Sequence, residues 1–363
     1  MGLVEGDSVN VAGFAHARGS APTATAAIRA TPADFQVDED CPIELSDSGE
    51  HLWCRIEKTG LTTQDAVQAL SRAAGVHPRQ IGFAGLKDRH AVTCQWISLA
   101  WPMAQPLPVF DGIYGLKVLE ARRHERKLKR GAHRGNRFVI RLRALDADRA
   151  ALDADLDRIR TQGVPNYFGP QRFGHGGRNL ALSRALFAGR RLSRNRRGFA
   201  LSSARSLLFN AVLDARVRDG SWNRLIDGEA VMLDGSHSVF ARNGTDQSEQ
   251  KLTERLDGFD IHPSGPLPGR GGDDVVEAQA AAFENAVIAD YPDLVAGLRD
   301  AGVDAARRAL RLPVRELEWT FESDTALVLS FWLPPGAFAT SVLRELVDVS
   351  EGRAGGDNAD QVD

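Results

Sequence analysis

Apolar side chains recur at every second position near both ends of this chain and at helical spacing through its middle. That change of period limits the possible folds more than any other feature. Leu52, Cys54 and Ile56 alternate with polar neighbours over residues 51–58, the pattern of a strand buried on one face. Phe138, Ile140 and Leu142 alternate with Val139, Arg141 and Arg143, which predicts a strand whose second face is basic or mixed. Residues 26–39 read as a strand and turn around Phe35, and residues 91–99 and 113–120 read as further strands. Residues 316–321 and 326–333 form a hairpin with its turn at 322–325.

Helical signals fall between these. Thr62 or Thr63 caps a helix running to about Ala74, with Ala66, Leu70 and Ala73 on its apolar side and Gly75 ending it. Residues 146–161, 178–189, 202–219, 275–302 and 338–349 also read as helical, and the HPSGPLPGRGGDD run at 262–274 reads as a loop by composition. Residues 1–25 are expected to be loosely ordered and 350–363 to form a disordered tail. Strand-rich ends around a helix-rich middle predict an α+β core interrupted by an inserted domain.

At 363 residues the chain is long enough for two domains. No segment approaches the roughly 18 consecutive apolar residues of a membrane span. Residues 1–14 lack the pattern of a signal peptide, and Gly6 stands where a myristoylation site wants Ser or Thr, so a cytoplasmic protein is expected. Cys41, Cys54 and Cys94 show neither CxxC pairing nor even number, which predicts reduced thiols and no cysteine-built metal site.

The net charge of −3 conceals a strong polarisation. Residues 122–143 hold 10 Lys or Arg and one acid, and residues 170–205 hold 9 Arg and none. Removing these 19 from the chain's 45 basic residues leaves 26 against 47 acids elsewhere. Two basic blocks on an acidic protein point to a polyanion, and their candidate RNA contacts are Arg123, Lys127, Arg130, Arg134, Arg172, Arg196 and Arg197. A salt-bridged, solvated face is the competing reading for either block alone.

There is no GxxxxGK[ST], GxGxxG after a strand, HExxH or GxSxG, and the histidines lack metal-ligand spacing. In residues 82–93, GFAGLKDRHAVT, a glycine turn places Asp88 between Lys87 and Arg89 just before a strand. Flanking cations favour an ionised carboxylate, the form a nucleophile needs. An exposed turn is the plainer alternative. Residues 164–174, VPNYFGPQRFG, combine aromatics, amides and Arg172 in a way that suits base stacking, or anchors a loop to a core.

These two strings, with GNRF at 135–138, SSARSLLFN at 202–210 and LPPGAFATSVLRE at 333–345, resemble the tRNA pseudouridine synthase D family in sequence, order and spacing. The resemblance runs from about Arg29 to Leu346. It implies a pseudouridine synthase core, a mixed and mainly antiparallel sheet flanked by helices, interrupted by a second, inserted α/β domain. Residues 1–162 and 312–349 would form the core and 163–311 the insertion. Asp88 would be the nucleophile, and Phe35, Asn136 and Phe338 would contact the target nucleotide. Lys87 and Arg89 enter by adjacency as substrate contacts, and Arg29 is a weaker candidate for a cation near Asp88.

The activity so implied is isomerisation of uridine to pseudouridine in tRNA, at uridine-13 of the D arm, by a monomer using no cofactor and no metal. The carboxylate would attack C1′ or C6, or assist loss of the 2′ proton. Two other readings compete. A non-catalytic RNA-binding protein would use the same basic blocks, and an enzyme of small-molecule metabolism would cradle a phosphate with the arginines.

Overall fold

The computed structural model describes residues 4–5, 8–9, 13–42, 44–244, 248–271 and 275–351. By internal contacts the chain divides into two compact units. One comprises Thr23–Arg149, Val314–Gly336 and Val347–Asp363; the other comprises Met1–Pro22, Ala150–Pro313 and Ala337–Leu346. These contact units do not coincide with the boundaries expected from sequence. Residues from the N-terminal stretch and from 337–346 join the middle of the chain through packing that sequence period does not reveal. Phe14 stacks on Tyr167, Arg18 pairs with Asp155 at 2.6 Å, and the Ala17 amide donates to Glu345 at 2.8 Å.

The first unit is built on a ten-stranded mixed sheet. Its main path runs Arg315–Ser323, Ala326–Leu333, Gly135–Asp146, Phe35–Asp40, Val92–Ala100, His51–Thr59, Leu116–His124. Thr25–Ile28, Gly82–Phe83 and Asp348–Glu351 complete it. Phe35–Asp40 lies parallel to Val92–Ala100, and Thr25–Ile28 parallel to Asp348–Glu351, while the other pairs are antiparallel. The expected mixed, mainly antiparallel sheet is therefore present.

The alternation read from sequence assigns the faces. Leu52, Cys54 and Ile56 are fully buried against Ala66, Val67 and Leu70 of the helix Thr63–Ala74. Thr62 caps that helix by accepting from the Asp65 amide, the Asp65 carboxylate accepts from the Thr62 amide, and Gly75 closes it at φ 66°. Phe138 stacks on Phe331 and meets Phe35 edge-on, so the central strands share an aromatic row.

The second face of Gly135–Asp146 is basic in sequence yet compensated in structure. Arg137 pairs with Glu316, Arg141 with Glu322, and Arg143 with the buried Asp34. Acids on neighbouring strands, invisible to a local count, neutralise it.

The other unit is organised by the 25-residue helix Arg194–Arg218, which begins eight residues before the expected start at 202 because Ser193 caps it. Leu207, Leu208, Phe209 and Leu213 bury against Leu180, Leu294 and Leu298. A four-stranded antiparallel sheet has the order Val239–Ala241, Ala230–Leu233, Ile261–Leu267, Ala306–Ala309. The loop expected at 262–274 is thus half strand. Proline lacks an amide hydrogen but keeps its carbonyl, and Pro263 accepts from the Leu310 amide at 2.9 Å.

Two further expectations change. Residues 275–302 form two helices, Ala278–Ile288 and Pro292–Asp300, because Pro292 starts a new one. Residues 338–349 hold only the short helix Ala339–Leu343, and Asp348–Glu351 then joins the free edge of Thr25–Ile28. The expected disordered tail contributes residues 350–351 to that strand, and the rest lies outside the described residues. Of the loosely ordered opening, Phe14 is buried. The three cysteines are free, with Cys54 buried and Cys41 and Cys94 half-buried.

Candidate active site

Asp88 sits in the turn between Gly82–Phe83 and Val92–Ala100. Gly82 is required there, since a Cβ would lie 2.3 Å from the Leu128 carbonyl oxygen. The Asp88 side chain is 64% exposed, which leaves its carboxylate open to a substrate. Arg29 donates to it from Nη2 at 3.1 Å and from Nη1 to Glu351 at 3.2 Å. Arg29 adopts φ 56°, a left-handed backbone that a side chain of this size occupies at a cost of order 1–3 kcal/mol. Strain of that kind persists where the surrounding structure imposes it.

Beneath Asp88 lies a cation that the sequence analysis did not single out. Lys58 is fully buried at the end of the alternating strand His51–Thr59. Its Nζ donates to the Asp88 carbonyl at 2.7 Å and to the Leu61 carbonyl at 2.6 Å. Burial lowers its ammonium from the ordinary 10.5 to about 8, against the opposing pull of Asp88. The signal was present: Lys58 continues the buried series Leu52, Cys54, Ile56, a position where an amine needs a reason.

The residues flanking Asp88 do not share a role. Lys87 turns inward and makes a 2.6 Å ion pair with Glu39, the two side chains 5% and 0% exposed, and Glu39 also accepts from the Trp96 amide. Arg89 turns outward to Asp65, at the start of the helix Thr63–Ala74, at 3.2 Å. Neither adjacent cation bonds to the Asp88 carboxylate; Arg29, distant in sequence, does.

Glu39 lies opposite Asn136 in the antiparallel ladder, so their side chains project from the same face. Through Glu39 and Lys87 the structure brings Asn136 near the Asp88 turn. The buried Asn136 Oδ1 has no donor among the described residues. Phe35 belongs to the same row, opposite Ile140, and is only 2% exposed. The Arg29 guanidinium covers its ring at 4.4 Å from the centroid. Arg29 therefore joins the nucleophile candidate to the aromatic one. Phe338 is half-buried at the start of Ala339–Leu343 and belongs to the other unit.

The basic candidates separate into clamps and free cations. Arg123 donates to the carbonyls of Gly49, Trp101, Pro102, Met103 and Gln105, a loop-holding role. Lys127 reaches the Arg79 carbonyl at 2.6 Å, and Arg130 covers Phe83 at 3.9 Å. Arg134 is exposed, and the Gly131 amide of the same loop donates to the Ala84 carbonyl at 2.9 Å. Among the described residues none of Arg126, Lys127, Lys129, Arg130 and Arg134 has a carboxylate ion partner, and this loop packs beside the Asp88 turn. In the other unit Arg196 is exposed, Arg197 donates to the Ala301 carbonyl at 2.9 Å, and Arg172 donates to Ser202 at 3.1 Å. Tyr167, Phe168 and Phe173 are buried, so the aromatics of 164–174 anchor a core and offer no face to a base.

Comparison with known proteins gives the family of the chain. The family model described as tRNA pseudouridine synthase D (TruD) matches residues 18–182 and 181–346. A tRNA pseudouridine synthase D of Methylococcus capsulatus is 48% identical over 324 residues, 88% of this chain and 90% of that protein. One from Pseudomonas putida is 47% identical over 331 residues, 90% of this chain and 93% of that protein. A solved structure from Methanosarcina mazei, described as a candidate tRNA pseudouridine synthase D, has a similar fold at TM-score 0.69. The match is 20% identical and covers 89% of this chain and 93% of that one.

Proposed function

Because the chain belongs to the tRNA pseudouridine synthase D family, we propose that it converts uridine to pseudouridine in tRNA, at uridine-13 of the D arm, with Asp88 as nucleophile. The observation that carries this reading is the Asp88 carboxylate itself, 64% exposed and held by Arg29 at 3.1 Å. A charged hydrogen-bond donor fixes the direction of a carboxylate's lone pairs. An open carboxylate suits a base presented by a large substrate, whereas an enzyme of small molecules encloses its ligand.

The reaction breaks the N1–C1′ bond and forms C5–C1′, with the C5 proton lost and a proton gained at N1, so composition is unchanged. The detached uracil must be retained while it turns. Asn136 Oδ1 has no donor among the described residues, and it accepts from the uracil N3–H once the entering base displaces the groups that bury it. Phe35 acts on the base through the Arg29 guanidinium that covers its ring. The uridine has to leave its stack to reach Asp88, at a cost of a few kcal/mol. Phosphate contacts from the exposed loop carrying Arg126, Lys129, Arg130 and Arg134 help offset that cost.

The test incubates the full chain with unmodified tRNA transcripts and maps pseudouridine by carbodiimide labelling and primer extension, with Asp88→Asn in parallel. A new stop in the D arm with wild type, absent with a variant that still binds tRNA, is expected. No stop on any tRNA despite binding would overturn the enzymatic reading in favour of an RNA-binding protein. Product from the variant would remove Asp88 from its role.

A further inference from the structure

The strand Ala306–Ala309 carries two adjacent arginines that face opposite ways, as neighbours in a strand must. Arg307 is neutralised by the Glu284 carboxylate and also donates to the Ser264 hydroxyl at 2.7 Å. Arg308 meets no carboxylate among the described residues. Its Nη2 donates to Asn166 Oδ1 at 2.5 Å, its Nε is buried without an acceptor, and its guanidinium covers Phe168 at 4.2 Å from the ring centroid. The Arg172 guanidinium approaches the same ring at 5.1 Å, and among the described residues its one hydrogen-bond acceptor is the Ser202 hydroxyl. Elsewhere in this unit Arg18, Arg216 and Arg218 have the acids Asp155, Glu229 and Asp214, and the acid-free Arg205 and Arg311 each donate to two backbone carbonyls. Among the described residues the Arg308 side chain has neither kind of partner.

An amide, a hydroxyl and a ring orient a guanidinium without cancelling its charge. Two such cations on one ring, drawn partly out of water, repel each other, and together burial and Arg172 bring Arg308 down to about 10. An arrangement of this kind is relieved by an anion. Both residues are of intermediate exposure as a whole, with the Arg308 guanidinium the more deeply enclosed of the two.

We propose that Arg172 and Arg308 jointly hold one phosphodiester group of an RNA backbone. The proposal rests on the functional reading above for the identity of its ligand. A phosphodiester has one negative charge and two non-bridging oxygens, which accept from two guanidinium forks at once. The segment at 164–174 thereby gains a purpose: Asn166 and Phe168 set the Arg308 fork, and Arg172 supplies the second.

Binding of an unmodified tRNA transcript by the full chain is measured against salt for wild type, Arg172→Gln, Arg308→Gln and the double variant. Each phosphate contact contributes about 0.9 to the slope of log K against log salt. Because the two arginines share one phosphate, either one left alone still neutralises it, so each single variant is expected to keep the slope with weaker binding and the double variant to lose about 0.9. An unchanged slope in the double variant, or a loss twice as large, overturns the proposal.

Thermal unfolding checks that the variants fold. If the Gln variants do not, Arg308→Lys, which keeps the charge and loses the fork, is expected to retain the slope while affinity falls roughly tenfold. Unchanged affinity would then overturn the proposal. Product formation by wild type in the same preparations separates the two readings. Product with a slope unaltered in the double variant sinks the phosphate site alone. Absence of product sinks the enzymatic reading and leaves the slope to decide on the phosphate.

Discussion

The buried ammonium of Lys58 donates to the backbone carbonyl of Asp88 at 2.7 Å, tying the end of an interior strand to the turn that presents the carboxylate. Replacing Lys58 by Met removes that tie while the apolar stem is kept. Turnover should fall about ten- to a hundredfold, the effect of displacing a reacting group by about 1 Å, with tRNA affinity within twofold. Single-turnover kinetics beside equilibrium binding make the comparison. An equal loss in both would mean that Lys58 supports the fold rather than the placement of Asp88.

The same residue predicts a dependence of stability on pH. Burial holds the Lys58 ammonium at about 8 instead of 10.5, so the folded protein binds this proton less tightly than the unfolded chain. The penalty for burying the charge is present in full below about pH 8, and stability rises from about 8 to 10.5 as the folded state releases the proton first. A gap of ~2.5 pH units corresponds to on the order of 3 kcal/mol. Denaturant unfolding of wild type and Lys58→Met across this window should show a rise specific to wild type. Parallel curves would contradict it.

Lys87 and Glu39 give a different expectation, because their 2.6 Å pair is buried on both sides. Lys87→Met leaves the Glu39 charge without its partner and should destabilise the protein by about 3–5 kcal/mol. Adding Glu39→Gln should recover much of the loss. Chemical denaturation of the single and double variants provides the cycle. Without recovery, Lys87 acts by some route other than the ion pair.

Local pattern made the framework of the fold legible and long-range compensation hid the rest. The period of Leu52, Cys54 and Ile56 and the Thr62 and Gly75 caps are encoded within a few residues, and those elements stand where expected. Ile261–Leu267 was hidden because Pro263 and Pro266 mark loops by composition, whereas a strand needs only their extended backbone and carbonyls. At the site, Asp88 stood out through its string of neighbours. Its partner Arg29 is 59 positions away and its tether Lys58 is 30, and no local rule links them. The basic stripe misled for the same reason, since Asp34, Glu316 and Glu322 meet it only in the folded sheet.

Arg29 bridges Asp88 and Glu351 while covering Phe35, and the forked guanidinium is what allows three contacts at once. Arg29→Lys keeps the charge but offers a single point, so turnover should drop at least about tenfold. The exposure of both carboxylates limits the effect on stability, and the melting temperature should stay within about 3 °C of wild type. Steady-state kinetics and thermal unfolding of one preparation test this together. A variant with full turnover would show that any cation suffices beside Asp88.

Asn136 should separate function from stability most sharply. Its buried Oδ1 has no donor among the described residues, so folding leaves a polar atom unsatisfied. Removing such an atom costs no hydrogen bond, and Asn136→Ala should unfold at a denaturant concentration equal to wild type or slightly above it. If the acceptor serves the uracil N3–H, the same variant loses an interaction made only with substrate. A hydrogen bond of about 1.4–2.7 kcal/mol corresponds to a fall of about ten- to a hundredfold in kcat/KM. Asn136→Asp keeps an acceptor at the position and should retain more activity than the alanine variant. Loss of stability with unaltered kcat/KM would instead make Asn136 a structural residue of the strand Gly135–Asp146, and the uracil edge would need another partner.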